Sequence, residues 1–290
     1  MSDKKTYVDR RLPTGDSLLK QLWQDPLGRA GFLGILFILL LALFAPIIAR
    51  YDVAQINSKA RLAAPSGTYW FGTDNFGRDI FSRIVYGAQV SLLVGVVSVS
   101  IAAGIGYLFG LAAGFFEGKV ESTIMMLMDI IFAFPSILLA LLIVAVLGTS
   151  IVNTMIAIGI VNIPVFARTV RASVKAVKGT DYIANARSVG LKNSVILFRH
   201  ITPNSLAPFT VQATLALSSA ILTEATMSFL GLGIQPPNPS WGSMLSEART
   251  YMEMAPWMVV FPALFIIFTI LSFNILGDAL RDALDPKLKL

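Results

Sequence analysis

Long uncharged runs separated by short polar segments dominate the chain. Residues 30–49 carry no charged side chain, and longer uncharged runs cover 84–116 and 130–167. A helix of about 20 residues crosses the ~30 Å hydrocarbon core of a bilayer. The first run therefore predicts one membrane span, and the third is long enough for two spans that turn at 148–150.

Six transmembrane helices account for this pattern and predict an all-α integral membrane protein. The predicted spans are 30–49, 88–116, 122–147, 151–168, 205–232 and 256–277. A tail at 1–29 and a tail at 278–290 flank this membrane domain, 30–277. An outer loop, 50–86, follows the first span, and a basic loop, 178–204, joins the fourth and fifth. The first run is longer than the ~7–15-residue apolar core of a cleaved signal peptide, so we expect an uncleaved anchor.

Composition supports membrane insertion and excludes several kinds of site. Hydrophobic residues make up 55% of the chain and charged residues 14%, far from the average of soluble domains. The absence of cysteine excludes disulfides and thiolate metal sites, and a single histidine leaves little scope for a histidine-based metal centre. We therefore expect no metal in this chain. The missing nucleotide-binding and catalytic motifs described below add the expectation of no catalytic residue, no cofactor and no enzymatic activity of its own.

The distribution of positive charge predicts the orientation of the chain. A net charge of +6 would suggest a nucleic-acid partner for a soluble protein, but here lipid is the expected surroundings and no nucleic acid is expected. Seventeen of the 23 Lys and Arg residues fall in the two tails, the turn at 117–121 and the stretch 168–204. The positive-inside rule then places both termini in the cytoplasm.

Two acidic residues lie inside predicted spans. Asp129 is in the third span and Glu224 is in the fifth. A carboxylate at membrane depth is costly unless it is paired, protonated or turned towards a wet cavity. These two positions therefore suggest ion or proton sites, a gating or packing role, or a structural hydrogen bond between helices.

A row of small residues runs along the second span at every fourth position. Its members are Ser98, Ala102, Gly106, Gly110 and Gly114. This spacing is an extended GxxxG pattern, which lets another helix approach closely. We expect helix packing along this row, either within the chain or against a partner subunit.

Two other segments carry residues typical of ligand-binding loops. The acids and glycines of 71–79, FGTDNFGRD, leave a calcium site as an alternative to simple turns, but their spacing does not fit an EF-hand. Gly118 and Lys119 are followed by Val120, and no glycine stands five positions before Gly118. The Walker A pattern is therefore absent, and the chain has no nucleotide-binding loop of this type.

The segment 181–204 is too polar to enter a bilayer and predicts two short helices. The first covers 182–189 and ends where Gly190 supplies a left-handed residue. The second covers 194–201 and is stopped by Pro203. The candidate capping residues are Thr180, Asp181 and Asn193. An amphipathic connector lying on the membrane surface is the simpler alternative.

This segment resembles the EAA loop of the membrane subunits of ATP-binding-cassette importers. The family pattern is Glu-Ala-Ala, three residues, Gly, nine residues, Ile, one residue, Leu-Pro. This chain matches the pattern at Ala186, Gly190 and Pro203. It departs from the pattern at four positions: Ala184 stands for Glu, Asn185 for the first Ala, His200 for Ile and Thr202 for Leu. The stretches FGTDNFGRD, MDIIFAFP, SFLGLG and LGDALRDALDPKLK are similar to the peptide-type permeases of that family, of the dipeptide and oligopeptide kind.

The resemblance implies a type I importer fold, with the basic loop acting as a coupling helix. The docking residues it implies are Asp181, Tyr182, Ala184, Asn185, Ala186, Gly190, Arg199, His200 and Pro203. It also implies a second related permease, two ATP-binding subunits that hold the ATP and magnesium, and an extracytoplasmic substrate-binding protein. Peptide would then cross the membrane by alternating access.

Other functions stay open on the sequence alone. The same transporter class could carry a nickel chelate, glutathione or an oligosaccharide instead of a peptide. An ion-coupled secondary transporter would use Asp129 and Glu224 as ion or proton sites, but no internal repeat is evident. An intramembrane enzyme is disfavoured, because no Ser/His, His/Glu or paired-acid constellation stands at catalytic spacing.

Overall fold

Helices form nearly all the regular structure in the computed structural model, which describes residues 15–284. In chain order they are α1 (Gly15–Gln24), α2 (Pro26–Leu43), α3 (Ala45–Ile48), α4 (Ile80–Phe115), α5 (Lys119–Phe132), α6 (Ser136–Leu147), α7 (Ile151–Lys178), α8 (Asp181–Ser188), α9 (Asn193–Val195), α10 (Thr202–Phe229), α11 (Trp241–Ala248) and α12 (Trp257–Leu284). Ser58–Ala60 and Arg249–Tyr251 are 3₁₀ turns, and Ile196–Ile201 is a π-helical segment. The predicted all-α class is confirmed. The parts of the predicted tails at 1–14 and 285–290 lie outside the described residues.

Within residues 15–284, five helices are long and apolar enough to cross a membrane. They are α2, α4, α7, α12 and the continuous helix that α9, the π-helical segment and α10 form together. Helices α5 and α6 meet the same criterion only as a pair, and their axes differ by 85°. Counted as one crossing, this bent pair brings the number to six, and the six predicted spans fall on these six units.

The third crossing is broken, whereas the sequence pattern predicted one span over 122–147. Proline disfavours the α conformation of the residue before it, here Phe134, and lacks the N–H group that would continue the helix. Pro135 therefore stands at the N-cap of α6, and α5 ends before it at Phe132.

The helices α4 and α7 are longer than the spans that the charge pattern predicted. Helix α4 begins at Ile80 instead of residue 88, and α7 continues to Lys178 instead of ending at 168. Asp79 fixes the start of α4, because its side chain accepts hydrogen bonds from the Ser82 backbone N–H at 2.8 Å and the Ser82 hydroxyl at 2.6 Å. At 36 residues, α4 is about 54 Å long and projects beyond a ~30 Å hydrocarbon core.

Because successive crossings run in opposite directions, the connecting segments lie at two opposite ends of the bundle. The basic end holds α1, the turn at 116–118, α8 and the last turns of α12. The opposite end holds the 49–79 segment, the turn at 148–150 and the 230–256 segment with α11. These two names are kept below.

The row of small residues on α4 packs against α7 of the same chain. A Cβ atom added at Gly106 would lie 2.5 Å from Phe166 Cβ, and one added at Gly110 would lie 2.6 Å from the Ala167 carbonyl oxygen. Gly114 meets Val174 in the same way, with a corresponding distance of 2.6 Å. The other two members of the row, Ser98 and Ala102, are buried. The row is therefore occupied within this chain and supplies no surface for a partner subunit.

Replacing Gly110 with leucine should destabilise the chain itself. The added side chain meets backbone and Cβ atoms of α7, and overpacking of this kind costs about 1–3 kcal/mol. We expect a lower thermal unfolding midpoint of the detergent-solubilised protein. Gly104→Leu is the matched control, because Gly104 is on the same helix and no atom lies within 4 Å of an added Cβ. Equal midpoints for both variants would contradict the packing.

Candidate functional site

The first half of the basic loop is a helix that ends in a Schellman turn. Gly190 has φ +81°, the left-handed conformation expected from the sequence. The Gly190 N–H donates to the Arg187 carbonyl at 2.9 Å, and the Leu191 N–H donates to the Ala186 carbonyl at 3.1 Å. Thr180 takes the N-cap position of α8, but its hydroxyl donates to the Val177 carbonyl at 2.6 Å instead of capping the helix.

The second half of the loop differs from the sequence prediction, because Pro203 does not stop the helix. Helix α9 widens into the π-helical segment and continues without a break into α10, which holds Pro203 in its first turn. A proline is tolerated there because the backbone N–H it lacks comes at a point where the hydrogen-bond register is already changing. The N-cap is Lys192, not Asn193, and it has no side-chain capping bond.

Three isoleucines anchor the basic loop to the bundle. Ile183, Ile196 and Ile201 are fully buried and belong to one cluster with Val170 and Val174 of α7. Tyr182 adds a polar connection, since its hydroxyl donates to the His200 carbonyl at 3.4 Å and accepts from the Asn204 side chain at 3.3 Å. The loop is therefore packed as one body onto the ends of the spans and is not a loose connector.

The outward face of the loop combines apolar and basic groups. Val189 is 81% exposed and Phe198 is 66% exposed, and Leu191 lies exposed between them in the chain. Of the residues implied by the family resemblance, Asp181, Tyr182, Ala184, Asn185, Gly190 and Arg199 are exposed, whereas Ala186, His200 and Pro203 are half-buried. Sequence reasoning missed Val189, Leu191 and Phe198. Their signal was apolar side chains inside a segment too polar for the bilayer.

Glu224 is fully buried where α10, α4 and the 230–240 segment meet. Its carboxylate accepts hydrogen bonds from Ser91 of α4 at 3.0 Å and from Ser228 of α10 at 2.8 Å. The Ser228 hydroxyl in turn accepts the Ile234 backbone N–H at 3.0 Å. The contacts of Glu224 thus link two crossings to the loop that leads into α11.

Asp129 has a different environment from Glu224, and the structure does not bring the two acids together. Its carboxylate forms an ion pair with Arg168 of α7 at 2.6 Å, and 63% of the Asp129 side chain is exposed. The Arg168 guanidinium also lies over the Phe132 ring, 4.2 Å from its centroid. Asp129 is therefore a paired surface acid next to the break between α5 and α6.

Asp129 is one rung of a ladder of ion pairs between α7 and the 117–129 stretch. Glu121 pairs with Lys175 at 2.5 Å and also contacts Arg171. Glu117 pairs with Lys178 at 2.9 Å, and this hydrogen bond to the ammonium lowers the pKa of the Glu117 carboxyl. The ladder fixes α5 beside α7, although Met128 is its one buried residue.

A second charged network stands at the opposite end of the bundle. Asp74 pairs with Arg78 at 2.5 Å and lies 3.8 Å from Arg83, and Glu247 of α11 contacts both arginines. Asp74, Arg78 and Arg83 are buried. Of the acids in the 71–79 segment, Asp74 therefore forms ion pairs with arginines, and Asp79 caps the start of α4. This use removes the basis for the calcium alternative.

Comparison with known proteins identifies the family. The family model described as the binding-protein-dependent transport system inner membrane component matches residues 106–290. A second model, the N-terminal transmembrane domain of oligopeptide transport permease C, matches residues 15–65.

Curated relatives extend this match along nearly the whole chain. A dipeptide transport system permease protein of Alkalihalophilus pseudofirmus is 50% identical over 270 residues, covering 93% of this chain and 89% of that protein. A di/tripeptide transport system permease protein of Pseudomonas aeruginosa is 47% identical over 283 residues, covering 94% and 93%. A glutathione transport system permease protein of Escherichia coli is 49% identical over 256 residues, covering 88% and 84%. With its helical crossings and its anchored basic loop, this chain belongs to the family of inner membrane components of binding-protein-dependent transport systems.

Proposed function

We propose that this chain is one of two permease subunits of an ATP-driven importer for short peptides. The relatives named above are permeases for dipeptides, di/tripeptides and glutathione, and glutathione is itself a tripeptide. The observation that carries the proposal is the basic loop, which presents exposed apolar and basic groups on a body anchored to two crossings. The substrate class common to the relatives is a chain of two or three residues with charged ends.

The basic loop is the docking element for a separate ATPase subunit. Val189 and Phe198 are exposed apolar side chains. A partner that covers them stabilises the complex by about 25 cal/mol per Å² of apolar surface removed from water. Arg187, Lys192 and Arg199 flank this patch and suit an acidic rim on the partner. ATP and magnesium belong to that partner, and this subunit is non-catalytic.

Movement of the docked loop reaches the membrane through two rigid connections. Ile183, Ile196 and Ile201 hold the loop against α7, and the π-helical segment joins it to α10 without a break. A displacement imposed by the ATPases therefore moves both crossings together, as alternating access requires.

The two acids have positioning roles in this mechanism. Glu224 ties α4 and α10 to the segment that leads into α11, so it couples the crossings to the opposite end. Asp129 holds α5 against α7 beside the bend. Neither carboxylate is proposed to bind the peptide, because both have partners in this chain.

A second permease completes the path for the peptide. Helices α4 and α7 pack against each other along their length, so the middle of this chain is filled by side chains and leaves no channel between them. A wall from another subunit is then needed. An extracytoplasmic binding protein delivers the peptide at the opposite end of the bundle.

Orientation is testable with single cysteines, because the chain has none of its own. The basic end should face the cytoplasm of the bacterial inner membrane, with both termini. We expect Ser66→Cys and Asn238→Cys, at exposed positions of the opposite end, to react with an impermeant maleimide in intact cells. Ser188→Cys, exposed on α8, should react only after permeabilisation. Labelling of Ser188→Cys in intact cells would reverse the orientation.

Gly190→Val should uncouple ATP hydrolysis from transport. A β-branched residue in the left-handed conformation costs on the order of 1–2 kcal/mol and would displace the residues that follow. We expect peptide-stimulated ATPase activity to fall while membrane insertion stays normal. Gly190→Asn is the control, since asparagine tolerates this conformation and no atom lies within 4 Å of an added Cβ. Unchanged stimulation in Gly190→Val would make the loop a simple connector.

Reconstitution tests the proposed function as a whole. Affinity purification of this subunit should recover one further permease and two ATPase chains. Proteoliposomes with the complete complex, binding protein and internal ATP should accumulate a labelled dipeptide, and this uptake should survive a protonophore. Sensitivity to the protonophore would favour ion coupling instead. Uptake of equal rate without the second permease would exclude the two-permease assembly.

A further inference from the structure

Polar side chains recur on one side of α10 at every seventh residue. Gln212, Ser219 and Thr226 are each two helical turns apart, about 10.5 Å along the axis. Gln212 and Thr226 are half-buried and Ser219 is exposed, so this side of α10 is incompletely covered by the rest of the chain. We call these three residues the polar row. The Thr226 hydroxyl donates to the Leu222 carbonyl at 2.8 Å, so it is available to a ligand only as an acceptor.

The ends of the polar row open into two grooves beside α12. A cavity of about 450 Å³ at the basic end is lined by Gln212, Val211 and Leu215, with Arg281 of α12 at its rim. A cavity of about 330 Å³ nearer the opposite end is lined by Thr226, Leu222, Phe229, Leu245 and Ile266. Both volumes fall in the range of small-molecule sites, roughly 300–1,000 Å³. The first cavity has polar groups from Thr169, Gln212 and Arg281 among apolar walls, whereas Thr226 is the polar residue in the lining of the second.

The polar row is costly if lipid tails cover it. Within residues 15–284, the Gln212 amide and the Ser219 hydroxyl have no hydrogen-bond partner, although the uncharged stretch 205–223 places them in a crossing. An amide without a partner in hydrocarbon costs several kcal/mol. Other polar groups of the crossings avoid this cost: the Thr214 hydroxyl donates to the Thr210 carbonyl at 3.1 Å, and the Asn162 amide donates to the Ile158 carbonyl at 2.8 Å. Gln212 and Ser219 therefore require water or a polar group that the described part of this chain does not supply.

A short peptide fits the chemistry and the spacing of the row. The amide of Gln212 and the hydroxyl of Ser219 can each donate and accept, so they suit peptide N–H and C=O groups whatever the side chains. An extended peptide rises about 3.3–3.6 Å per residue, so a tripeptide covers one interval of the row. Apolar walls take up side chains of varied shape, and Arg281 complements a terminal carboxylate.

We propose that the polar row Gln212, Ser219 and Thr226 is this subunit's peptide-contacting wall of the transport path. The proposal rests on the proposed function of a peptide importer and names the residues that face its cargo. Hydrogen bonds from the row take the place of water molecules on the peptide backbone as the peptide passes. These bonds do not depend on the side chains of the peptide. Arg281 receives the carboxylate at the basic end.

Transport kinetics of the complete complex test the row directly. Gln212→Leu and Ser219→Ala each remove one hydrogen-bonding group, so the maximal uptake rate of a labelled dipeptide should fall about two- to tenfold. The concentration of half-maximal uptake should not change, because the binding protein selects the peptide before the row is reached. Thr214→Val is the matched control on the same helix, since Thr214 is about 200° around the helix from Gln212 and its hydroxyl donates to the Thr210 carbonyl. Equal rates in all variants would overturn the proposal.

Cysteine accessibility separates a peptide path from other surroundings. Gln212→Cys, Ser219→Cys and Thr226→Cys in the reconstituted complex should react with a hydrophilic maleimide, and delivery of peptide should slow the reaction at Ser219→Cys. Leu93→Cys, at an exposed apolar position of α4, should stay unlabelled as the lipid control. Absence of labelling along the row, or efficient cross-linking of the row to the second permease, would overturn the proposal. Failure of the wild-type complex to import any peptide would instead refute the proposed function, since the row could still be wet.

Discussion

The close contact between α4 and α7 is the constraint on which the other elements depend. Glycines at 106, 110 and 114 bring the two backbones so near that a single Cβ would collide, and dispersion between close surfaces is the main attraction that lipid cannot supply. Because α7 continues to Lys178, the position of α4 also sets the position of the basic loop. A force applied to that loop would therefore act first on the contact between α4 and α7.

Charged groups hold the parts of the chain that apolar packing holds least. Helix α5 buries little apolar surface, and the acids from Glu117 to Asp129 tie it to α7 instead. The basic partners of these acids are Arg168, Arg171, Lys175 and Lys178. Because they form ion pairs within the chain, these four positive charges are not free for a second protein. The exposed basic residues of the loop are Arg187, Lys192 and Arg199, close in sequence to the exposed Val189 and Phe198.

The sequence predicted the fold class, the crossings, the small-residue contact and the left-handed Gly190, because each follows from local chemistry repeated at a fixed spacing. It did not predict the outcome at Pro203 or the bend at Pro135. One proline lies where a π-helical segment absorbs it and the other breaks a crossing, and only the surrounding packing decides between these results. The ion pair of Asp129 with Arg168 was not predicted, because Arg168 belongs to another crossing and no local pattern reveals the pairing.

The polar groups of α10 divide into those that serve the fold and those that the fold leaves open. The hydroxyls of Thr210, Thr214 and Thr226 donate to carbonyls of their own helix, and the Ser228 hydroxyl bonds Glu224 and the Ile234 N–H. The stability of this chain does not explain Gln212 and Ser219, since an apolar residue at either position would be more stable in contact with lipid. The basic loop and these two groups belong to one continuous helix. A displacement of the loop would therefore carry Gln212 and Ser219 with it, and no separate element would be needed to connect the two.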